Sequence, residues 1–314
     1  LTRSSAASDV YKRQLVASLI VASTPLVLAA LGELVVEKSG VLNLGVEGMM
    51  IIGAVSGFIV GVETGSAYIG MIAAAIAGAL LSLLFAFIVL IMQANQVASG
   101  LALTIFGLGL AALMGHPYTG IKSPQIQTIS IPFLSDTPII GQMFFQHDLI
   151  VYLSLIAVFG VWYFLNRMRL GLVLRAVGED HDVAHSLGYR VISIRFLAIT
   201  FGGAMAGVGG GYLSLVRVPQ WTEGMTAGAG WIALALVVFS GWRPGRLLIG
   251  AYIFGGITIL QLNLQAIGVN INIAILSMAP YLATILALVL ISMSRLHGKR
   301  GAPGCLGKSF VKTV

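Results

Sequence analysis

Apolar and polar positions along the chain alternate in long blocks. Leu15–Leu31, Tyr68–Met92, Val97–Met114, Leu149–Leu165, Phe196–Val216, Leu247–Leu262 and Leu276–Met293 are nearly unbroken apolar runs. Each is close to or beyond the ~17–20 residues with which an apolar helix crosses a ~30 Å hydrocarbon core. Pro25 can kink the first of these runs, and Glu33, Glu37 and Lys38 follow it at a membrane boundary. Ser39–Val62 is different, because it opens on Gly40, Gly45 and Gly48 and carries Asn43 and Glu47. A glycine-broken entry of this kind predicts a discontinuous or re-entrant piece ahead of the span, tolerated where backbone is buried in protein or lines a cavity. Trp231–Ser240 is only about ten residues long, too short for an untilted crossing. The pattern predicts an all-α, polytopic integral membrane helical bundle with about nine transmembrane or re-entrant segments, and none of the weak alternation of barrel strands.

Composition agrees. The chain is 58% hydrophobic and 9% charged with a mean hydropathy of +0.97, whereas a soluble domain is about 25% charged. Its 39 glycines suit closely approaching helices, so Gly202–Gly211 reads as packing rather than as a phosphate loop. No dinucleotide or Walker glycine pattern is present, so ATP, if used, is bound and hydrolysed by another chain, and no cofactor is expected in this one. The single cysteine, Cys305, excludes an intrachain disulfide. Leu1–Gln14 is polar, serine-rich and without an initiator methionine, and is set apart from the fold reasoning as a non-core segment. Residues 15–294 then form one membrane domain, and 295–314 a cytoplasmic tail in which Gly298–Val314 is expected to be disordered.

Charge is concentrated in one place. Arg167–Arg195 holds eight of the 29 charged residues, five of them arginines, between two apolar runs. Positive charge in short loops resists translocation, so this loop lies on the cytoplasmic side, the C-terminus inside and the N-terminus outside. The net charge of +7 therefore reports orientation in membrane lipid and not nucleic acid binding. The long stretch His116–His147, with Pro117, Pro124, Pro132 and Pro138 and Lys122 alone as a fixed positive charge, falls outside. Within the charged loop Asp180 can cap a short helix with Asp182 in its first turn, ended by Gly188. Val183, Ala184, Leu187 and Val191 would give that helix a small apolar face.

Chemistry narrows to few residues. Glu47 lies in an apolar context, where an ionisable group is costly unless it faces a cavity or a partner, and Asn43 shares its helix face. With Asn95 and Gln96 at another boundary, they are the candidate translocation-path residues. His181 and His185 have the i, i+4 spacing of a zinc pair, but no third ligand is evident and no metal is expected. Serine and cysteine nucleophiles have no base arrangement, so no catalytic residue is assigned.

Several blocks carry a family resemblance. LRAVGEDHDVAHSLGYRV is similar to the cytoplasmic loop of permease subunits of ATP-binding-cassette importers of the ribose, branched-chain amino acid and nucleoside group. LGELVVEKSGVLNLGVEGMMIIGA, ANQVASGLALTIFGLGL and WTEGMTAGAGWIALALVVFSGWRPGRLLIGAYIFGGITILQLNLQAIG resemble its nucleoside branch. The resemblance implies a non-enzymatic transport subunit in a bacterial plasma membrane. Its partners would be ATPase subunits, a second permease of the same or another chain, and an extracytoplasmic substrate-binding protein. It also implies a coupling helix at Gly178–Gly188, with Arg175, Gly178, Glu179, Asp180, Leu187 and Gly188 presented to the ATPase. A sister importer for ribose-like sugars or branched-chain amino acids is the near alternative, and an ion-coupled secondary transporter, which calls for paired intramembrane carboxylates, the distant one.

Overall fold

A computed structural model describes residues 2–130, 145–266, 278–279, 282, 285–286, 289 and 301–310. Their secondary structure is helical apart from the two-residue strands β1 (Ile129–Ser130) and β2 (Gln146–His147), which pair antiparallel. The helices are α1 (Thr2–Lys38), α2 (Val46–Thr64), α3 (Ala67–Ala86), α4 (Gln96–Gly115), α5 (Leu149–Arg167), α6 (Arg169–Glu179), α7 (His181–Ser186), α8 (Val191–Tyr212), α9 (Ala229–Ser240) and α10 (Pro244–Ala266). α3 and α8 each end in a π-helical turn, Phe87–Ile91 and Leu213–Arg217. Among the described residues, 7 helices are long and apolar enough to cross a membrane, and α9 is the shorter apolar helix foreseen at Trp231–Ser240. The expected last span, Leu276–Met293, lies largely outside the described residues.

The centre of the bundle is built from α1, α2, α3 and α8, drawn together by small residues. A Cβ added at Gly32 would stand 2.7 Å from the Gly202 carbonyl, and one at Gly209 2.8 Å from the Pro25 carbonyl. Gly53 packs on Gly207, Gly78 on Gly203, and Gly210 on the carbonyl of Met50, each with no room for a methyl group. The Ser214 hydroxyl donates to the Ala54 carbonyl at 2.8 Å, adding a polar tie at the same seam. Apolar side chains such as Ile72, Ile76 and Leu80 on α3, Ile105 and Leu113 on α4 and Phe159 on α5 point away from this centre and stay exposed. That outward apolar surface is what a polytopic protein turns to lipid.

Four expectations need correction. α1 does not stop near Leu31 but runs through Pro25 to Lys38, with Glu33 and Glu37 buried rather than at a boundary. Its backbone also continues back through the segment that was set apart, to Thr2. The charged loop holds the short Asp180-capped helix expected in it, but Arg169–Glu179 forms a further helix ahead of it and α8 already starts at Val191. Arg195 therefore lies in the first turns of α8 and is 0% exposed. Finally, the tail is ordered at 301–310, where Cys305 N–H donates to the Gly178 carbonyl (2.9 Å), Gly307 N–H to the Gly40 carbonyl (3.1 Å) and Lys38 Nζ to the Gly301 carbonyl (2.8 Å). Two of these bonds satisfy backbone carbonyls of Gly178 and Gly40 and the third satisfies the Lys38 ammonium, so the polar segment is held by groups of the bundle.

Candidate functional site

Between α1 and α2 the chain is irregular from Ser39 to Gly45, with Gly40 at φ 87°. A non-helical stretch inside a bundle needs its backbone groups satisfied, and here neighbouring elements do so. The Leu42 N–H donates to Gln96 Oε1 (2.8 Å), the Asn43 N–H to Glu33 Oε1 (3.3 Å) and the Gly45 N–H to Asn43 Oδ1 (2.9 Å). The Leu44 carbonyl accepts from Thr104 Oγ1 (3.1 Å) and the Ser39 carbonyl from Arg195 Nε (3.1 Å). The Asn43 amide in turn donates to Glu33 Oε2 at 3.4 Å.

α2 consequently begins deep in the bundle. Gly53 packs on Gly207, which at about 1.5 Å per residue is about 24 Å along α8 from Val191, and Glu47 is about 9 Å nearer that end. This is roughly mid-depth of a helix about 40 Å long. Here Glu47 accepts three hydrogen bonds from one remote stretch: Thr226 Oγ1 (2.6 Å) and Gly228 N–H (2.8 Å) on Oε1, and Gly230 N–H (2.6 Å) on Oε2. That stretch is the N-terminus of α9. The carboxylate thus stands between the N-termini of two helices that both begin inside the bundle, where both helix dipoles favour a negative group. At the other end of α9, Trp242 Nε1 donates to Glu37 Oε2.

On the far side of Thr226 lies a cavity of about 770 Å³. α1 walls it through Ala22 and Pro25, the end of α8 through Leu213 and Arg217, and α10 through Phe254 and Thr258. Gln146, Asp148 and Gln261 add polar atoms to a mostly apolar lining. Asp148 is itself fixed, because Oδ1 caps α5 by accepting from Ile150 N–H and Val151 N–H while Oδ2 accepts from the Tyr212 hydroxyl at 2.7 Å. A pocket of this size with a few hydrogen-bonding groups on an apolar wall suits an uncharged, hydroxylated small molecule. None of Asn43, Glu47, Asn95 and Gln96 lines it. Glu47 is one residue removed, through Thr226. Asn95 caps α4 through Ala98 N–H (3.0 Å), and Asn43 and Gln96 hold the irregular loop. Sequence reasoning missed the wall itself: Asp148 and Arg217 sit at the edges of apolar runs, and Thr226, though inside a block that carries the family resemblance, has no expected role there.

At the opposite end of the bundle is the charged segment. Asp180 caps α7, its Oδ1 accepting from Asp182 N–H and Val183 N–H at 3.0 Å, and Gly188 ends it at φ 88°. The four apolar residues foreseen for one face, Val183, Ala184, Leu187 and Val191, do not share it. Ala184 and Val191 are buried with Val177 and Phe310, whereas Val183 and Leu187 are 54% and 71% exposed. Of the six residues foreseen for docking, Glu179, Asp180, Leu187 and Gly188 are exposed. Gly178 is packed against the Lys38 carbonyl, and Arg175 is half-buried with its Nε unpaired among the described residues. His181 is not a metal ligand in waiting, because its Nδ1 faces Arg195 Nη2 at 3.0 Å. An arginine can only donate, so Nδ1 accepts and the proton sits on Nε2, toward Asp182 Oδ1 at 3.7 Å. Burial and the Arg195 guanidinium hold this imidazole below its ordinary pKa, against the opposing pull of Asp182 and Asp180.

Known proteins resemble most of the chain. Residues 15–294 match the family described as branched-chain amino acid transport system / permease component. A Haloferax volcanii protein named provisionally as a glucose ABC transporter permease, TsgC13, is 41% identical over 85% of this chain and 88% of its own length. The guanosine ABC transporter permease protein NupQ of Bacillus subtilis is 34% identical over 95% and 96%, and the nucleoside ABC transporter permease protein NupC of Lactococcus lactis 32% over 95% and 97%. No solved structure gives a significant match. The chain belongs to this permease family: it is a multi-pass transport subunit rather than an enzyme.

Proposed function

We propose that this permease is the membrane-spanning subunit of an ATP-driven importer for nucleosides, set in a bacterial plasma membrane with the charged end of the bundle in the cytoplasm. One observation carries the substrate: the two relatives named for guanosine and nucleosides align with nearly the full length of the chain. The cavity supports it, offering Thr226, Thr258, Gln146 and Gln261 to hydroxyls and ring nitrogens. An extracytoplasmic binding protein would present the nucleoside at the end where the cavity lies, and a second permease, identical or different, would complete the path. ATP would be bound by separate ATPase subunits seated against Val183 and Leu187, with Glu179 and Asp180 beside them. Glu47 would shape the path by holding α9, and Asn43, Asn95 and Gln96 by holding the segments around it.

A second reading, uptake of a sugar, has its own support in the 41% identity to the TsgC13 protein. Both cargoes carry a hydroxylated ring, so competition separates them. Proteoliposomes holding the assembled complex should take up labelled guanosine, with uptake suppressed by excess inosine and untouched by excess glucose. Suppression by glucose with labelled glucose itself accumulated would reverse the assignment.

A further inference from the structure

Arg195 is fully buried, yet the described residues place no carboxylate on its guanidinium. Its three hydrogen bonds go instead to three separate segments. Nε donates to the carbonyl of Ser39, where the irregular membrane-embedded loop begins, at 3.1 Å. Nη2 donates to Nδ1 of His181, the first residue of α7, at 3.0 Å. Nη1 donates to the carbonyl of Lys308 in the tail at 3.3 Å. The tail ties the same three regions a second time. Gly307 N–H reaches the Gly40 carbonyl, Phe310 stands edge-on to His181 and His185 with both centroid distances 5.3 Å, and the Lys308 carbonyl also accepts from Gln96 Nε2 at 3.4 Å. Gln96 is the residue that holds Leu42.

We infer that Arg195 is a positioning residue that links the seat of α7 to the loop Ser39–Gly45, so that a displacement of α7 is passed to α2 and to the junction at Glu47. A guanidinium presents its donors in a rigid fork, and a buried donor without a partner is costly. If His181 moves, Arg195 must follow it or give it up, and following it pulls on Ser39. α7 is the element that meets the ATPase in the function proposed above, so the inference rests on that reading. The acceptor at Nδ1 exists only while His181 is neutral. The charged and titratable groups around this imidazole are Asp180 and Asp182 at the start of α7, His185 further along it, Arg195 from α8 and Lys308 from the tail. Burial and Arg195 outweigh the two aspartates and favour the neutral form. The link is therefore intact at neutral pH and opens on acidification, below the ordinary histidine value of about 6.5.

The test uses the complete complex of permease, ATPase and binding protein in proteoliposomes and reads guanosine moved per ATP hydrolysed. The wild-type ratio should be steady at neutral pH and fall as the medium is acidified below about pH 6. His181→Asn keeps an acceptor oxygen and does not titrate, so its ratio should stay flat over the same range. His181→Leu leaves Arg195 without that acceptor, and its assembled complex should hydrolyse ATP with the ratio lowered about tenfold at every pH. Arg195→Gln should behave likewise. Identical pH profiles for wild type and His181→Asn would overturn the inference, as would a wild-type ratio in whatever fraction of the leucine or glutamine variant assembles. A wild-type complex that moves glucose and not guanosine would overturn the substrate reading alone, since the ratio can then be read with glucose.

Discussion

Replacing Glu47 with glutamine exchanges one acceptor oxygen for a donor at the point where α2 and α9 meet. The carboxylate takes Thr226 Oγ1 and Gly228 N–H on one oxygen and Gly230 N–H on the other. A glutamine amide can point its carbonyl at the first pair, but its NH2 then faces the Gly230 N–H, donor against donor. One charge-assisted bond is lost, worth about 1.5–3 kcal/mol net, and the negative charge that favours two helix N-termini goes with it, about 0.5–2 kcal/mol. The expected loss is about 2–5 kcal/mol. Glu47→Ala orphans all three buried donors and should cost about 5 kcal/mol or more, comparable to the whole stability of many folds. Thr226→Val removes one neutral donor together with its need for a partner, and should cost about 1 kcal/mol. The assay is a melt of the detergent-solubilised permease followed by size exclusion, with guanosine uptake measured on the same preparations. The order should be wild type, Thr226→Val, Glu47→Gln, Glu47→Ala, with the glutamine variant melting roughly 5–10 °C low and the alanine variant failing to assemble. An alanine variant that melts with wild type would refute the grip on α9, whatever its transport.

Cysteine labelling should find Leu187→Cys reactive from the cytoplasm and Gln125→Cys from outside, against a parent whose Cys305 is buried; the reverse pattern would invert the topology. Gly210→Ala should abolish assembly, because its methyl would fall on the Met50 carbonyl, while Gly109→Ala, with open space around it, should be silent in the same expression test. Leu187→Asp should leave the melt unchanged yet abolish co-purification of the ATPase, and retention of the ATPase would remove α7 as its seat. Ala227→Gly relieves a non-glycine residue at φ 46°, about 1 kcal/mol, and should raise the melting temperature by a few degrees while slowing uptake; a lower melting temperature would show the backbone there to be unstrained.

How far the sequence could be read depended on whether a feature is local. The spans were legible because lipid rewards long apolar runs, and α3, α4 and α5 begin and end within a few residues of the runs that announce them. The broken entry to α2 was legible in Gly40, Gly45 and Gly48, since irregular backbone leaves a local mark. The partners of Glu47 were not, because Thr226, Gly228 and Gly230 lie far along the chain in a stretch whose own pattern says only glycine and turn. Arg195 and the tail misled for one reason. Charge and polarity suggest water, but backbone carbonyls left open at Ser39, Gly40 and Gly178 are equally good partners, and only the fold shows that they need them.

The same geometry shows how closely each helix is joined to its neighbours. α1, α2, α3 and α8 meet backbone to backbone at Gly32, Gly53, Gly78, Gly203, Gly207 and Gly210, and seams this close cannot slide without collision. α9 makes one such contact with them, at Gly230, where an added Cβ would stand 2.6 Å from the Glu47 backbone. It is bracketed by left-handed backbone at both ends, Ala227 and Gly228 before it and Gly241 and Trp242 after it, at φ 46°, 83°, 61° and 56°. Two of the three non-glycine residues with positive φ among those described are in that bracket, a costly conformation that persists where surrounding contacts enforce it. Those contacts are the Glu47 carboxylate at one end and the Glu37–Trp242 bond at the other. Both acidic residues belong to the rigid group, and the loop that joins their helices is the one Arg195 holds. The start of α9 is thus also a wall of the cavity, through Thr226 and Ala229, and the route inferred above from α7 through Arg195 and Ser39 to Glu47 ends at that wall.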